Sequence, residues 1–336
     1  MANKSHFNSG LKALNKQKKD GKKHSSNVEN IKIEKTVQAF FTEDAIQFLK
    51  KVPDNSIQLI LIDPPYNLDL DTWDTFDNYL HWAKQWLDEV YRILSPTGNC
   101  VIFGGFQYQD LKKGDLLEIL HYTRHHTDLR FTNLVIWYYK NGMSAHRYFA
   151  NRHEEAVWLT KTKKYYFDLD SVRAQYSPEQ KKLALKDKRL IPANIEKGKN
   201  PTNVWEIGRL NGNSKERVGH PTQKPVELIR RFVKSLSYEG SIVLDFFAGS
   251  GSTAHATLAA NNNDGGSRKF ICVQIPEKCP DNSTAQKEGF NTISDICKER
   301  IRRVIKKIKD EQKQNKIDSK SNQDLGFKVF KLAKSN

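Results

Sequence analysis

The chain has 336 residues, with 55 Lys and Arg against 39 Asp and Glu, a formal charge of +16. At roughly 100 to 200 residues per domain this allows one large domain or two small ones, each able to bury a core. A hydrophobic share of 38%, with 10% aromatic, excludes disorder throughout; the absence of any apolar run near the ~18 residues of a membrane span excludes a transmembrane helix.

The opening residues 1–10 lack the apolar core of a secretory leader. The four cysteines (Cys100, Cys272, Cys279, Cys297) have no C-x-x-C spacing, which argues against a zinc site and a disulfide framework. The expectation is a cytoplasmic protein without a metal. Charge is unevenly spread: +6 over residues 1–35, −6 over 36–139, +11 over 140–234, −3 over 235–297 and +8 over 298–336. Such alternation suits a polyanion-binding surface joined to an acidic core.

Residues 1–35 read as a basic tail with one short helix around Leu11 to Asn15. Val37 to Phe41 has a short strand pattern, and Thr42 is placed to cap a helix running to Lys51. Ile57 to Ile62 is almost wholly apolar, with three β-branched isoleucines, which predicts a strand buried on both faces. A helix is expected from Phe76 to Leu94. Ser95 to Gly98 then turns into a buried strand, Cys100 to Phe103. Further strands are expected at Leu134 to Tyr139 and Ala156 to Thr160.

Periodicity fades between Tyr166 and Asn213, where basic residues concentrate, so residues 166–213 read as a loop-rich insert. Thr222 is placed to cap a helix reaching Ser237. A strand from Ser241 to Phe246, a Gly-rich turn, a helix from Thr253 to Ala260 and a strand from Lys269 to Ile275 follow. A final helix is expected from Thr292 to Ile308, before a basic tail over 309–336. The fold class is α/β, an open and mostly parallel sheet with helices on both faces. The insert separates a catalytic half (36–165) from a second half (214–308).

Two constellations carry chemistry. Asp63-Pro64-Pro65-Tyr66 directly follows a buried strand, and open α/β sheets bind ligands outside the carboxyl ends of their strands. Two prolines make a rigid corner with free carbonyls and no N–H. With the Asp63 carboxylate and the flat face of Tyr66 they suit a planar group bearing –NH2. The second, Asp245-Phe246-Phe247-Ala248-Gly249-Ser250-Gly251-Ser252-Thr253, is a strand, a two-glycine turn and a helix start. Its glycines allow close ligand approach and its helix start offers free N–H groups. It matches no nucleotide-phosphate motif. His153-Glu154-Glu155 is read as structural.

Together these motifs resemble the hallmark pair of the exocyclic-amino DNA methyltransferases that use S-adenosyl-L-methionine (AdoMet). His220-Pro221-Thr222-Gln223-Lys224-Pro225 is similar to that family's third cofactor motif. The order, with Asp-Pro-Pro-Tyr first and the Gly turn last, is that of the β-class adenine-N6 enzymes. Segments such as Asn141 to Ala145, Asn151 to Glu155 and Asn200 to Trp205 strengthen the likeness, which spans residues 1–256. Beyond it, Lys269 to Arg303 looks more like type III modification subunits.

The resemblance implies an AdoMet-dependent methyltransferase fold and a methyl transfer to N6 of an adenine flipped out of double-stranded DNA. Asp63, Pro64, Pro65 and Tyr66 would be catalytic. Asp63 and the Pro64 carbonyl would hold the amine while Tyr66 stacks. AdoMet would be bound by Asp63, Phe103, His220, Thr222, Lys224, Pro225, the whole run from Asp245 through Thr253, and Gln274. Lys224 would neutralise the cofactor's carboxylate. Gln274 stands where the family has an acid for the ribose hydroxyls. The insert would recognise the target. A cognate restriction endonuclease and a homodimer fit the likeness, and a membrane does not. Two other readings stay open: a cytosine-N4 methyltransferase, and a catalytically inactive DNA-binding module.

Overall fold

A computed structural model describes residues 38–67, 74–106, 116–142, 144–147, 149–220, 222–314 and 324–331. The expected N-terminal tail with its short helix lies outside these. The strands are β1 (Ala39–Thr42), β2 (Ile57–Ile62), β3 (Leu94–Gly104), β4 (Arg130–Tyr138), β5 (His153–Thr160), β6 (Val204–Glu206), β7 (Ile242–Asp245), β8 (Lys269–Val273) and β9 (Lys328–Lys331). They form a single sheet in the order β6-β4-β5-β3-β2-β7-β8-β1-β9. Every ladder is parallel except the two that β5 makes with β3 and β4.

The helices are α1 (Ala45–Leu49), α2 (Tyr79–Ile93), α3 (Leu116–His126), α4 (Pro178–Ala184), α5 (Pro192–Lys197), α6 (Val226–Leu236), α7 (Ser252–Asp264), α8 (Thr284–Lys287) and α9 (Ile293–Gln314). Apolar stripes decide which face each covers. α1, α2 and α3 bury Phe48, Trp86, Leu87, Val90 and Ile119 in one core with Ile60 and Ile62 of β2. α6 buries Leu228, Phe232 and Val233 against Leu59 and Leu61, the alternate residues of the same strand. The apolar run 57–62 is thus buried on both faces, as its composition implied. α7 and α9 close the second face over β1 and β8.

Strand order reverses at β2, which has β3 on one side and β7 on the other. The carboxyl ends of β2, β3, β7 and β8 lie along one edge, the position where open α/β sheets place ligands. Because β5 runs antiparallel, its first residues return to that edge, with Glu155 opposite Gly104 and Ala156 opposite Phe103.

Several boundaries differ from the sequence reading. Thr42 ends β1, and Asp44 caps α1 by accepting the Gln47 N–H at 2.9 Å. Ser95 to Gly98 lies within β3 as a bulge, since register jumps from Ile57 opposite Leu94 to Leu59 opposite Asn99. Buried Gln58 staples it, donating to the Thr97 carbonyl at 2.9 Å and accepting from the Thr97 hydroxyl at 2.9 Å. Thr222 caps nothing; α6 starts after Pro225, and its first N–H, from Val226, is met at 3.0 Å by Glu216. The insert carries α4, α5 and the edge strand β6, and part of the expected C-terminal tail forms β9 beside β1.

Candidate active site

The corner after β2 is fixed by its own side chains. The Tyr79 hydroxyl, from the first turn of α2, donates to the Pro65 carbonyl at 2.9 Å. Asn67, in left-handed backbone at φ 52°, accepts the Phe76 N–H at 2.7 Å, and Asp74 accepts the Asn67 N–H at 2.8 Å. Asp63 caps no helix, because α2 begins at Tyr79 with Asn78 as its cap. The Tyr66 hydroxyl donates to Asp63 Oδ1 at 2.6 Å.

Lys224 reaches across the chain to this carboxylate. Its Nζ lies 2.8 Å from Asp63 Oδ1, 2.9 Å from Oδ2, 3.3 Å from the Tyr66 hydroxyl and 3.4 Å from Glu154 Oε2. It also sits 5.5 Å from the Tyr66 ring centre and 5.7 Å from that of Phe103, within cation–π range. Burial works against the ammonium charge, yet the Asp63 and Glu154 carboxylates outweigh it and hold the Lys224 pKa above its ordinary value.

The second motif forms as a strand, a turn and a helix start. Buried Asp245, at the end of β7, accepts the Thr253 hydroxyl at 2.6 Å and the Phe247 N–H at 3.1 Å. Burial dominates even so, and its pKa is pushed up to about 7. Gly249 and Gly251 have φ of 47° and 79°, backbone that side chains rarely adopt. A Cβ on Gly251 would meet Cys297 Sγ of α9 at 2.8 Å, so this glycine also permits close helix packing. Gln274, just past β8, accepts the Gly249 N–H at 2.7 Å and donates to Glu277 at 3.0 Å. Its carboxamide therefore braces the turn.

The His220–Pro225 segment is tied to that turn from behind. The Ser252 hydroxyl donates to the Lys224 carbonyl at 2.9 Å. Burial drives the His220 pKa down to about 4, and its neutral ring accepts the Thr222 N–H at 3.3 Å. Arg300 of α9, 2% exposed, donates to the Ser250 hydroxyl at 3.0 Å, to the Ser252 hydroxyl at 2.9 Å and to Glu216 at 3.0 Å. Since Glu216 also accepts the first N–H of α6, one ion pair with a buried guanidinium joins the Gly turn, α9 and the Lys224 segment.

These elements enclose a cavity of about 330 Å³. Asp63, Pro64, Pro65, Tyr66, Phe103, His220, Thr222, Lys224, Gln274 and the run from Asp245 to Thr253, except Gly251, line it. Gly251 and Pro225 are not among the residues that line it. Sequence reasoning missed Phe76, Trp82 and Gln223, which also line the cavity, and Arg300 and Glu216 behind it. Arg300 left a trace: it falls within the apolar stripe of Cys297, Ile301 and Val304, where a charge needs a buried partner. Trp82 and Glu216 left none.

A mostly parallel sheet with a Gly turn and an Asp-Pro-Pro-Tyr corner on one edge defines the class as an AdoMet-methyltransferase-like α/β fold. Residues 57–287 match the family model described as DNA methylase, and the chain belongs to this family of N6/N4 methyltransferases. It is 33% identical over 267 residues to the type II methyltransferase M.HpaI of Haemophilus parainfluenzae, covering 78% of this chain and 79% of that one. Among solved structures, the cytosine-N4-specific PvuII DNA methyltransferase aligns at a TM-score of 0.54 and 18% identity, over 79% of this chain and 93% of its own. TTHA0409 of Thermus thermophilus, complexed with S-adenosyl-L-methionine, aligns at 0.54 and 20% identity, over 89% and 100%. No helix among the described residues is long and apolar enough to cross a membrane.

Proposed function

We propose that this chain is a site-specific DNA methyltransferase that moves a methyl group from AdoMet to N6 of an adenine turned out of double-stranded DNA. The observation that carries the reading is the meeting of the Asp63–Tyr66 corner and the Asp245–Thr253 turn on one cavity. The type II relative M.HpaI favours a role in a restriction-modification system.

The residues present fit AdoMet. A volume of about 330 Å³ lies at the small end of ligand clefts, which run from roughly 300 to 1,000 Å³. Phe246, Phe247 and Trp82 give aromatic walls, with the Phe247 and Trp82 ring centres 5.5 Å apart. Lys224 places a cation in the wall, matching the carboxylate of an amino-acid moiety. Lys224, His220, Thr222 and the Ser250–Thr253 helix start would hold that end, and Gln274 with Glu277 would face the ribose. Bound there, AdoMet supplies an electrophilic methyl carried on a sulfonium.

The chain's own task is to hold the amine. A carboxylate offers about four lone-pair sites. Lys224 and Tyr66 occupy three on Asp63, leaving one on Oδ2 for an amine hydrogen. The Pro64 carbonyl accepts the second hydrogen, and the rigid prolines keep both acceptors in place. The Tyr66 ring stacks on the base. Positioning the nitrogen in line with the methyl group accounts for most of the rate, because orientation alone can be worth about 7 to 11 kcal/mol. Adenine is favoured over cytosine because cytosine-N4 enzymes more often carry Ser at the position of Asp63.

Methylome sequencing of a host expressing the chain tests the reading. N6-methyladenine at one recurring short sequence is expected. N4-methylcytosine in its place, or no new modification, would overturn it.

A further inference from the structure

Glu154 has no part in the chemistry set out above, and it does not line the cavity. It is nonetheless the second carboxylate on the Lys224 ammonium, at 3.4 Å. Its Oε2 is buried and has no hydrogen-bond partner among the described residues, so its close charged neighbour there is Lys224. Buried carboxylate oxygens normally have partners, and one held beside an ammonium marks an electrostatic duty. Its placement follows from topology: β5 runs against its neighbours, which returns its first residues to the carboxyl edge. There the alternation that sends Ala156 and Trp158 toward α6 points Glu154 the same way, toward the segment that carries Lys224.

The charges explain what this does. Lys224 and Asp63 alone cancel. Counted among these three side chains, Glu154 leaves one negative charge in excess, next to the acceptors for the amine. In methyl transfer the amine nitrogen attacks the methyl carbon, the carbon–sulfur bond breaks with its electron pair going to sulfur, and positive charge moves from sulfur to nitrogen, which then releases one of its hydrogens as a proton to solvent. A site with net negative charge beside that nitrogen stabilises the charge as it arrives. We infer that Glu154 is a positioning residue for methyl transfer, which shares the Lys224 ammonium so that Asp63 stays anchored and yet uncancelled in charge. The inference rests on the methyl-transfer reading.

Glu154→Gln keeps shape and removes the charge; Glu154→Asp keeps the charge on a shorter arm. For the full-length protein with duplex DNA, Glu154→Gln is expected to lower kcat about tenfold or more, with KM for DNA within about threefold of the parent. Glu154→Asp should recover most of the loss, and AdoMet affinity by calorimetry should stay within about threefold in both. A Glu154→Gln enzyme with unchanged kcat overturns the inference. So does a loss confined to KM, a loss that Asp does not relieve, or a tenfold fall in AdoMet affinity, which would make Glu154 part of the cofactor pocket. Should Glu154→Gln fail to fold, a Glu154→Asp enzyme with reduced but substantial kcat supports the inference and an inactive folded one overturns it. Nucleoside analysis of the same reactions identifies the methylated base. Label on cytosine N4 would therefore refute the adenine reading and leave the Glu154 comparison intact.

Discussion

The carboxyl edge of the sheet and the insert that interrupts it handle charge in opposite ways. At the edge, buried cations are joined to partly buried carboxylates over long sequence distances: Lys224 meets Asp63 across 161 residues, and Arg300 meets Glu216 across 84. In the insert they are exposed and local, as in Lys181 with Glu196, Lys197 with Asp170, and Arg189 with Asp187. A buried pair leaves a costly orphan when one partner is lost, whereas an exposed pair contributes about 0 to 1 kcal/mol. Charge at the edge therefore builds machinery. Charge in the insert is left facing outward, where a phosphate backbone can use it.

The largest effect expected from that contrast is at Asp63. Asp63→Asn should lower methyl transfer by about 10²-fold or more, since on the proposed reading it would remove an acceptor and the charge facing the amine, while binding to DNA persists in a mobility-shift assay. Next comes Arg300→Met, expected to cost about 3 kcal/mol of stability in chemical denaturation, because Glu216 would be left half-buried without its cation. It should also loosen AdoMet binding by detaching the Gly turn from α9. Matching losses from Lys181→Met in the insert would break the contrast.

A pH series separates two groups within the edge itself. Asp245 has its pKa raised to about 7 in the folded chain, so the stability tied to its proton is present below about pH 4 and lost as pH rises through 7. His220, lowered to about 4, acts the other way: its stability is lost as pH falls from about 6.5 through 4. Asp245→Asn removes the first effect alone. Its stability relative to the parent should therefore climb as pH rises from about 4.5 to 7.5, measured by denaturation without ligand. The smallest effect belongs to the insert. Exposed Lys182, Lys186 and Lys188 changed together to Gln should weaken DNA binding a few-fold at low salt, and reduce the salt slope by up to about 0.9 per lost phosphate contact. AdoMet affinity should not change.

How legible these features were in the sequence follows from how local they are. The buried strand Ile57–Ile62, the Asp63–Tyr66 corner and the Gly turn are contiguous runs whose composition states their environment. Most expected cofactor residues line one cavity because both motifs sit at strand ends on one edge. What stayed hidden depends on partners far apart in the chain. The cap of α6 is Glu216, ten residues upstream of Val226, so a Thr222 cap was the natural local guess. The Ser95–Gly98 bulge is held inside β3 by Gln58, a residue whose side chain reads as an exception in an apolar run. That Glu154 comes within 3.4 Å of Lys224 was not legible either, because nothing local says that β5 is antiparallel and returns its start to the carboxyl edge. β6 and β9 are too short for their pattern to rise above their surroundings.

One measurement bears most directly on the account. The purified chain is incubated with methyl-labelled AdoMet and unmethylated duplex DNA, and the DNA is then digested to nucleosides and separated. Label in N6-methyldeoxyadenosine from the parent chain, and none from Asp63→Asn, is the predicted result. Label in N4-methyldeoxycytidine, or equal labelling by the two proteins, would contradict it.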